Sequence, residues 1–311
     1  RWARVQENLG VVYLSRIEGE QVDNLEAALR CYLASLEVYT QESFPEDWAE
    51  LHNNLGLVYQ ERIRGEEAEN LEAAICSYLA ALQVYTRETY PWQWAIAQTN
   101  LGGAYKRRIR GQPQENQAAA IQCYLDALDV CTQEAFPEQW SLLQNNLGSL
   151  YYDYGQDEAG ENFETAIRYF SASLEVRTRE AMPERWAEIQ NNLGNIYLDR
   201  IQGNKAENLE AAIHYYSAAL EVYTREDFPA AWADTQSNLG ITYRLRIKGD
   251  RSENLERSIQ CHLQPLEIYP RETFPQDWLT SQNNLGIAYQ EAGQLENAYI
   301  AFEAAIDLVE S

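Results

Sequence analysis

The 311-residue chain carries 24 basic and 48 acidic residues, a formal charge of −24, so it repels phosphate backbones and anionic membrane surfaces. Its 45% hydrophobic and 12% aromatic content is that of a packed protein and excludes an intrinsically disordered one. No apolar run approaches the roughly 18 residues of a membrane-spanning helix, and the five scattered Cys form neither a CxxC pair nor a disulfide framework. A protein of the reducing cytosol is expected, with neither nucleic acid nor membrane as partner.

The chain opens at Arg1-Trp2 inside a pattern that is already running, so it is expected to be a piece of a longer protein. Trp2, Trp48, Trp94, Trp140, Trp186, Trp232 and Trp278 recur every 46 residues. Gly10, Gly56, Gly102, Gly148, Gly194, Gly240 and Gly286 keep the same step. One domain of seven units is expected, roughly 1–43, 44–89, 90–135, 136–181, 182–227, 228–273 and 274–311. Each unit reads as two helices. Helix A starts at a proline such as Pro45, whose missing N–H is no loss in the first turn. Phe44 and Trp48 sit four apart, like a hydrophobic staple, and the helix runs to Arg62-Ile63. Gly65 follows as the expected left-handed C′ residue. Asn70 is the expected cap of helix B, and Leu71, Ala74, Ile75, Tyr78, Ala81, Leu82 and Tyr85 then recur at helical spacing. Neither helix buries its apolar stripe alone, so neighbouring pairs must stack.

The residues Leu55-Gly56, Tyr59, Ala74, Tyr78 and Ala81, repeated in the other units, resemble the L-G-x2-Y and A-x3-F/Y pattern of tetratricopeptide repeats. Leu285-Gly286, Tyr289, Ala298, Phe302 and Ala305 match the ordinary 34-residue spacing. The first six units carry about twelve extra residues, split between the A–B hairpin and the B-to-A connection, and longer helices are expected there. The long form, with FPxxWAxxQNNLG and ENLExAI, resembles bacterial arrays that often precede caspase-like (CHAT) protease domains, and also the repeats of kinesin light chains. The resemblance implies an all-α fold: an α-solenoid, wound as a right-handed superhelix, of seven helix-turn-helix repeats. It further implies a sensing or cargo-binding arm whose concave helix-A surface recognises a protein or peptide.

Carried onto this chain, that surface includes Asn53, Asn145 and Asn191 in one row and Asn195 in a second. Tyr152, Lys106 and Arg244 belong to a third, and Arg107 to a fourth; these last two rows vary most in charge and size. Between them runs an asparagine ladder: Asn8, Asn54, Asn100, Asn146, Asn192, Asn238 and Asn284. An amide both donates and accepts, so the ladder can pair with the backbone of an extended peptide or bond a neighbouring helix and set the stacking. Arg108 recurs as Arg16, Arg62, Arg200 and Arg246 and is expected to pair with acids in the stack, whereas Lys106 and Arg107 do not recur and could meet an acidic ligand segment.

Two irregularities break the pattern. Tyr154-Gly155-Gln156-Asp157 replaces Arg-Ile-x-Gly and should shorten the fourth helix A and reshape its hairpin. Pro265 lies inside the sixth helix B and should kink it. The three His, including His262 at the core aromatic position, and the five Cys, read as small buried side chains, assemble no nucleophile–base pair, metal cluster or phosphate loop. No enzyme and no cofactor are expected. A binding scaffold is the first functional reading; a module stacking end to end with its own copies is the second.

Overall fold

The computed structural model describes residues 1–16, 19–155 and 161–310, and among them the only regular structure is helical, in repeated antiparallel pairs. The chain divides into two compact units, Arg1–Leu150 and Tyr151–Ser311. The first contains α1 (Trp2–Leu14), α2 (Gln21–Leu36), α3 (Pro45–Glu61), α4 (Glu67–Ala81), α5 (Pro91–Arg107), α6 (Pro113–Leu128) and most of α7 (Pro137–Gly155). In the second, α8 (Glu161–Leu174), α9 (Pro183–Asp199), α10 (Lys205–Ala219) and α11 (Pro229–Leu245) are followed by α12 (Arg251–Leu263), α13 (Pro275–Glu291) and α14 (Leu295–Glu310).

Proline opens each helix A from α3 onward, as its missing N–H allows. Phe44 is the N-cap residue itself, one place inside the position a staple requires, and its ring meets Tyr39 edge-on at 5.2 Å. The same contact recurs as Tyr90 on Tyr85, Phe228 on Tyr223 and Phe274 on Tyr269. In the pairs of Gly10, Gly56, Gly102, Gly194, Gly240 and Gly286, the ring of helix B lies on the glycine of helix A. A Cβ on Gly102 would come within 2.6 Å of the Tyr124 ring, so only glycine admits this approach. Helix B then turns its other apolar flank to the next helix A. Leu25, Ala28, Leu29 and Tyr32 of α2 form one buried cluster with Leu51, Leu55 and Val58 of α3, and Phe163, Ala166 and Phe170 of α8 do the same with Ile189, Leu193 and Ile196 of α9.

Several boundaries differ from the sequence expectation. Helix B begins three residues before Asn70, so this buried residue is no N-cap; its Nδ2 instead donates to the carbonyls of Arg62 and Arg64 in the preceding hairpin, at 3.2 and 2.9 Å. Gly65 is left-handed, with φ +87°, but lies beyond C′, because the chain already leaves the helix at Arg62 with ψ 125°. The extra residues do not lengthen the helices relative to the ordinary-spaced pair: α3 and α13 both have 17 residues, and α4 and α14 have 15 and 16. They go into the connections and into an earlier start of helix B. The fourth helix A is not shortened; α7 runs to Gly155 over 19 residues, since position 154 lacks the arginine whose extended backbone ends α3, α5, α9 and α11. Gln156 and Asp157, and with them the expected reshaping of the hairpin, lie outside the described residues. Pro265, unable to donate to the carbonyl four residues back, ends α12 at Leu263, and a 3-10 turn, Gln264–Glu267, takes over. Of the five cysteines, four are buried and Cys76 is exposed, its position in register falling on the outer side of α4.

Candidate functional site

Two clefts open on the helix-A residues, one in each unit. In the first unit, Glu46, Glu50, Asn53 and Asn54 of α3 face Trp92, Gln93 and Ile96 of α5, with Tyr85 closing the end, around about 280 Å³. In the second, Asn191 and Asn195 of α9 and Asp234, Ser237, Asn238 and Ile241 of α11 form one side. Asp277, Thr280, Ser281 and Asn284 of α13 form the other, with Tyr269 at the end, around about 400 Å³. The two stand at one register, four 46-residue steps apart: Glu50 corresponds to Asp234, Asn54 to Asn238, Tyr85 to Tyr269 and Gln93 to Asp277. Their described lining holds carboxylates, amides and hydroxyls and no Lys or Arg.

The tyrosine comes from the segment after helix B, and its ring is buried beneath the aromatic that caps the next helix A. The Tyr269 hydroxyl donates to Asp234 Oδ1 at 2.8 Å and to the Ala230 carbonyl at 3.2 Å. Burial pushes the Asp234 carboxyl above the usual range; the Tyr269 bond opposes this and Asp277 adds to it. The Tyr85 phenol is likewise pushed up, by burial and then by Glu50 and Glu46.

Of the residues singled out by sequence, Asn53 and Asn54 line the first cleft and Asn191, Asn195 and Asn238 the second. The ladder also bonds across neighbouring helices A: Asn100 Nδ2 donates to Asn53 Oδ1 and Asn238 Nδ2 to Asn195 Oδ1, each at 3.1 Å. Asn195 Oδ1 further accepts from the Tyr216 hydroxyl at 2.7 Å, and Asn191 Oδ1 from Thr235 at 3.1 Å. Asn145 is buried on α7, whereas Asn146 and Asn192 are half-buried. Tyr152 donates to Asp199 at 2.9 Å. Lys106 and Arg107 are exposed at the end of α5, where Arg107 meets Glu61 at 3.3 Å and Glu67 at 3.6 Å. Arg244 pairs with Glu291 at 2.9 Å. The rows flanking the Leu-Gly pair miss the acidic and aromatic part of the clefts, which lies one to two turns earlier on helix A. Trp92 was the available signal: Glu46, Glu138, Glu184, Ala230 and Gln276 occupy its register elsewhere.

The recurring arginine does pair with acids in the stack. Arg62, Arg108, Arg200 and Arg246 reach the glutamates of the preceding helix B, Glu26, Glu72, Glu164 and Glu210, at 2.6–2.8 Å. Each also donates to the buried asparagine of its own hairpin, Asn70, Asn116, Asn208 or Asn254. These bonds hold the Glu26, Glu72 and Glu210 carboxyls below their ordinary range. The sequence exchanges both partners together, with Ala118 at the glutamate register and Tyr154 at the arginine register. Burial pushes the Cys123 and Cys261 thiols up to about 12, which keeps them protonated.

No protein-family model matches the chain, and no curated protein matches it. Solved structures do. A signal-transduction ATPase with numerous domains (STAND) and a tetratricopeptide repeat sensor, from Pyrococcus horikoshii, superposes with a TM-score of 0.70 at 17% identity over 98% of this chain and 43% of that one. The apo form of RapI gives 0.60 at 14% identity over 99% and 97%. Cut9, in its hetero-tetramer with Hcn1 from the APC/C, gives 0.58 at 17% over 92% and 42%. The chain has a tetratricopeptide-like repeat fold. It spans about two fifths of the STAND protein and of the Cut9 chain, and no described helix is long and apolar enough to cross a membrane.

Proposed function

We propose that the chain is a protein- or peptide-binding scaffold, the sensing or regulatory arm of a larger protein, which uses its helix-A groove to hold a partner segment. The observation that carries this reading is the recurrence of an amide-lined cleft at one register in both units, on residues that the bonds between repeats engage only in part. An Asn has two N–H groups and an acceptor oxygen, so a single bond to the neighbouring helix leaves the amide able to meet a peptide backbone. The sensor named in the STAND neighbour supports the reading by analogy alone. Five free cysteines fit a reducing cytosol. On this reading Lys106, Arg107 and Arg244 sit at the rim of the groove and select partner charge.

Selection from a displayed random-peptide library, followed by titration of the recovered peptides, tests it. Asn54→Ala or Asn238→Ala should weaken binding about tenfold, and Gln122→Ala, on an exposed outer position of α6, should leave it unchanged. Peptides that bind all variants alike would remove the groove. A second reading, stacking of copies end to end, is favoured by Val5, Leu9 and Val12 of α1 and by Leu295, Tyr299 and Ile306 of α14. All six are exposed, although Leu51, Leu55 and Val58, in register with the first three, are buried between pairs. Light scattering across a concentration series decides it: a constant monomer mass rejects stacking.

A further inference from the structure

The first cleft has chemistry that the groove reading leaves unassigned. Glu46 and Glu50 lie one turn apart on α3 and face Trp92 across about 280 Å³. The indole stacks on Phe136, with ring centroids 4.5 Å apart and planes at 28°. Only the third repeat carries Trp at this register. Glu7, on α1 at the register of Asn53, is not part of the cleft's lining but feels the charge of Glu50, which is. Only 7% of Glu7 is exposed, and its Oε2 has no hydrogen-bond partner among the described residues. Its carboxyl is pushed up by burial and by Glu50 and Asp47 of α3, with Arg4 opposing. A buried carboxylate oxygen without a donor is costly, and a cation held at Glu50 relieves part of the repulsion that Glu7 feels from it.

From the cleft, its aromatic wall, its paired carboxylates and the neighbouring Glu7 with its unpartnered Oε2, we infer that this site receives an arginine side chain from a basic, extended segment of a partner protein. The inference rests on the scaffold reading and names its partner class. A guanidinium is flat and carries five donors, so it stacks on the Trp92 face while bonding the Glu46 and Glu50 carboxylates edge-on. A lysine ammonium has the charge without the plane. A divalent ion is a poorer occupant, because no three His, Cys, Asp or Glu among the described residues are grouped to hold one. An acidic segment is repelled by these carboxylates and by the net charge of −24. In the second unit Asp234 already accepts from Tyr269, and Gln276 stands at the register of Trp92, so the aromatic wall is absent there.

Fluorescence anisotropy of the 311-residue chain with a labelled Arg/Gly/Ser peptide tests this, against versions bearing lysine, citrulline or aspartate in place of arginine. The arginine peptide should bind, lysine should weaken it several-fold, and citrulline, which keeps the shape without the charge, should weaken it at least about tenfold. Glu50→Gln, an isosteric change that preserves the helix, and Trp92→Ala should each weaken the arginine peptide, whereas Glu226→Gln, an exposed acid of the second unit, should not. Equal binding of the arginine and lysine peptides, unaffected by Trp92→Ala, would reduce the site to general acidic attraction and overturn the inference. Displayed peptides that are neutral or acidic yet sensitive to Asn54→Ala would sink the arginine site and leave the scaffold standing. No groove-sensitive peptide of any composition would sink both.

Discussion

The clefts of the two units share a frame and differ in their walls. Glu50 and Asp234, Asn54 and Asn238, Tyr85 and Tyr269 hold equivalent places, yet Trp92 and Ile96 in the first unit correspond to Gln276 and Thr280 in the second. In a repeat protein the residues that stack one pair on the next must stay alike, because each makes the same contact at every step. Residues lining the groove are released from that constraint. Difference between copies therefore marks where ligand chemistry can be written, and likeness marks the frame.

If the frame is common, breaking it should cost the same in either unit. Gly102→Ala in the first and Gly194→Ala in the second place a Cβ within 2.6 Å of the Tyr124 and Tyr216 rings. Each should destabilise its own unit by about 3 kcal/mol, read as lost hydrogen-exchange protection in that unit's helices. Unequal losses would break the equivalence.

His262 should separate the units by pH. It replaces the core tyrosine, is fully buried, and has its pKa lowered from 6.5 to about 4 by burial and then by Arg244. A folded imidazole that resists protonation favours the unfolded state as pH falls below 6.5, and the loss is complete near 4. Stability around α12 should therefore fall by roughly 3 kcal/mol across that window. His262→Phe, matching Phe170 and Phe302, should abolish that share of the acid sensitivity, measured as the difference between variant and wild-type denaturation curves at pH 7.5 and 4.5.

The arginine clamp should be the next largest shared term. Arg108→Ala and Arg246→Ala each remove a two-pronged bond to glutamate and should cost about 2 kcal/mol, with a double-mutant cycle against Glu72→Ala or Glu210→Ala isolating the pair. The clamp contribution should vanish as pH falls through the lowered carboxyl pKa values of Glu72 and Glu210. The smallest effect belongs to the ladder. Asn100→Ala and Asn238→Ala each delete one neutral inter-helix bond and should cost about 1 kcal/mol in urea denaturation.

Much of the frame was legible because it is periodic. Pro45 at a helix start, left-handed Gly65 and the pairing of Arg108 with an acid follow from spacing and local conformational chemistry. Asn70 looked like a cap because Asn near a helix start usually is one; instead its amide satisfies two carbonyls of a tight hairpin, a role set by the chain's path before the helix. The fourth helix A runs longer than the replaced Arg-Ile-x-Gly motif suggests, because the arginine that turns extended is what ends α3, α5, α9 and α11. Cleft composition was hidden for another reason. Glu50, Tyr85 and Trp92 come from three successive elements, and no window of the sequence places them together.

The amino-acid sequence by itself determined the helical pairs, their number and register and the stacking residues, because a 46-residue period repeats one local solution and each pair contacts its neighbours in the same way. Tertiary packing decided which carboxylates, amides and rings converge, which asparagine amides bond across helices, and that Glu7 Oε2 and both ring nitrogens of His262 are buried without a hydrogen bond among the described residues. Those outcomes depend on how side chains from different elements fill a shared space, and periodicity along the chain carries no information about that filling.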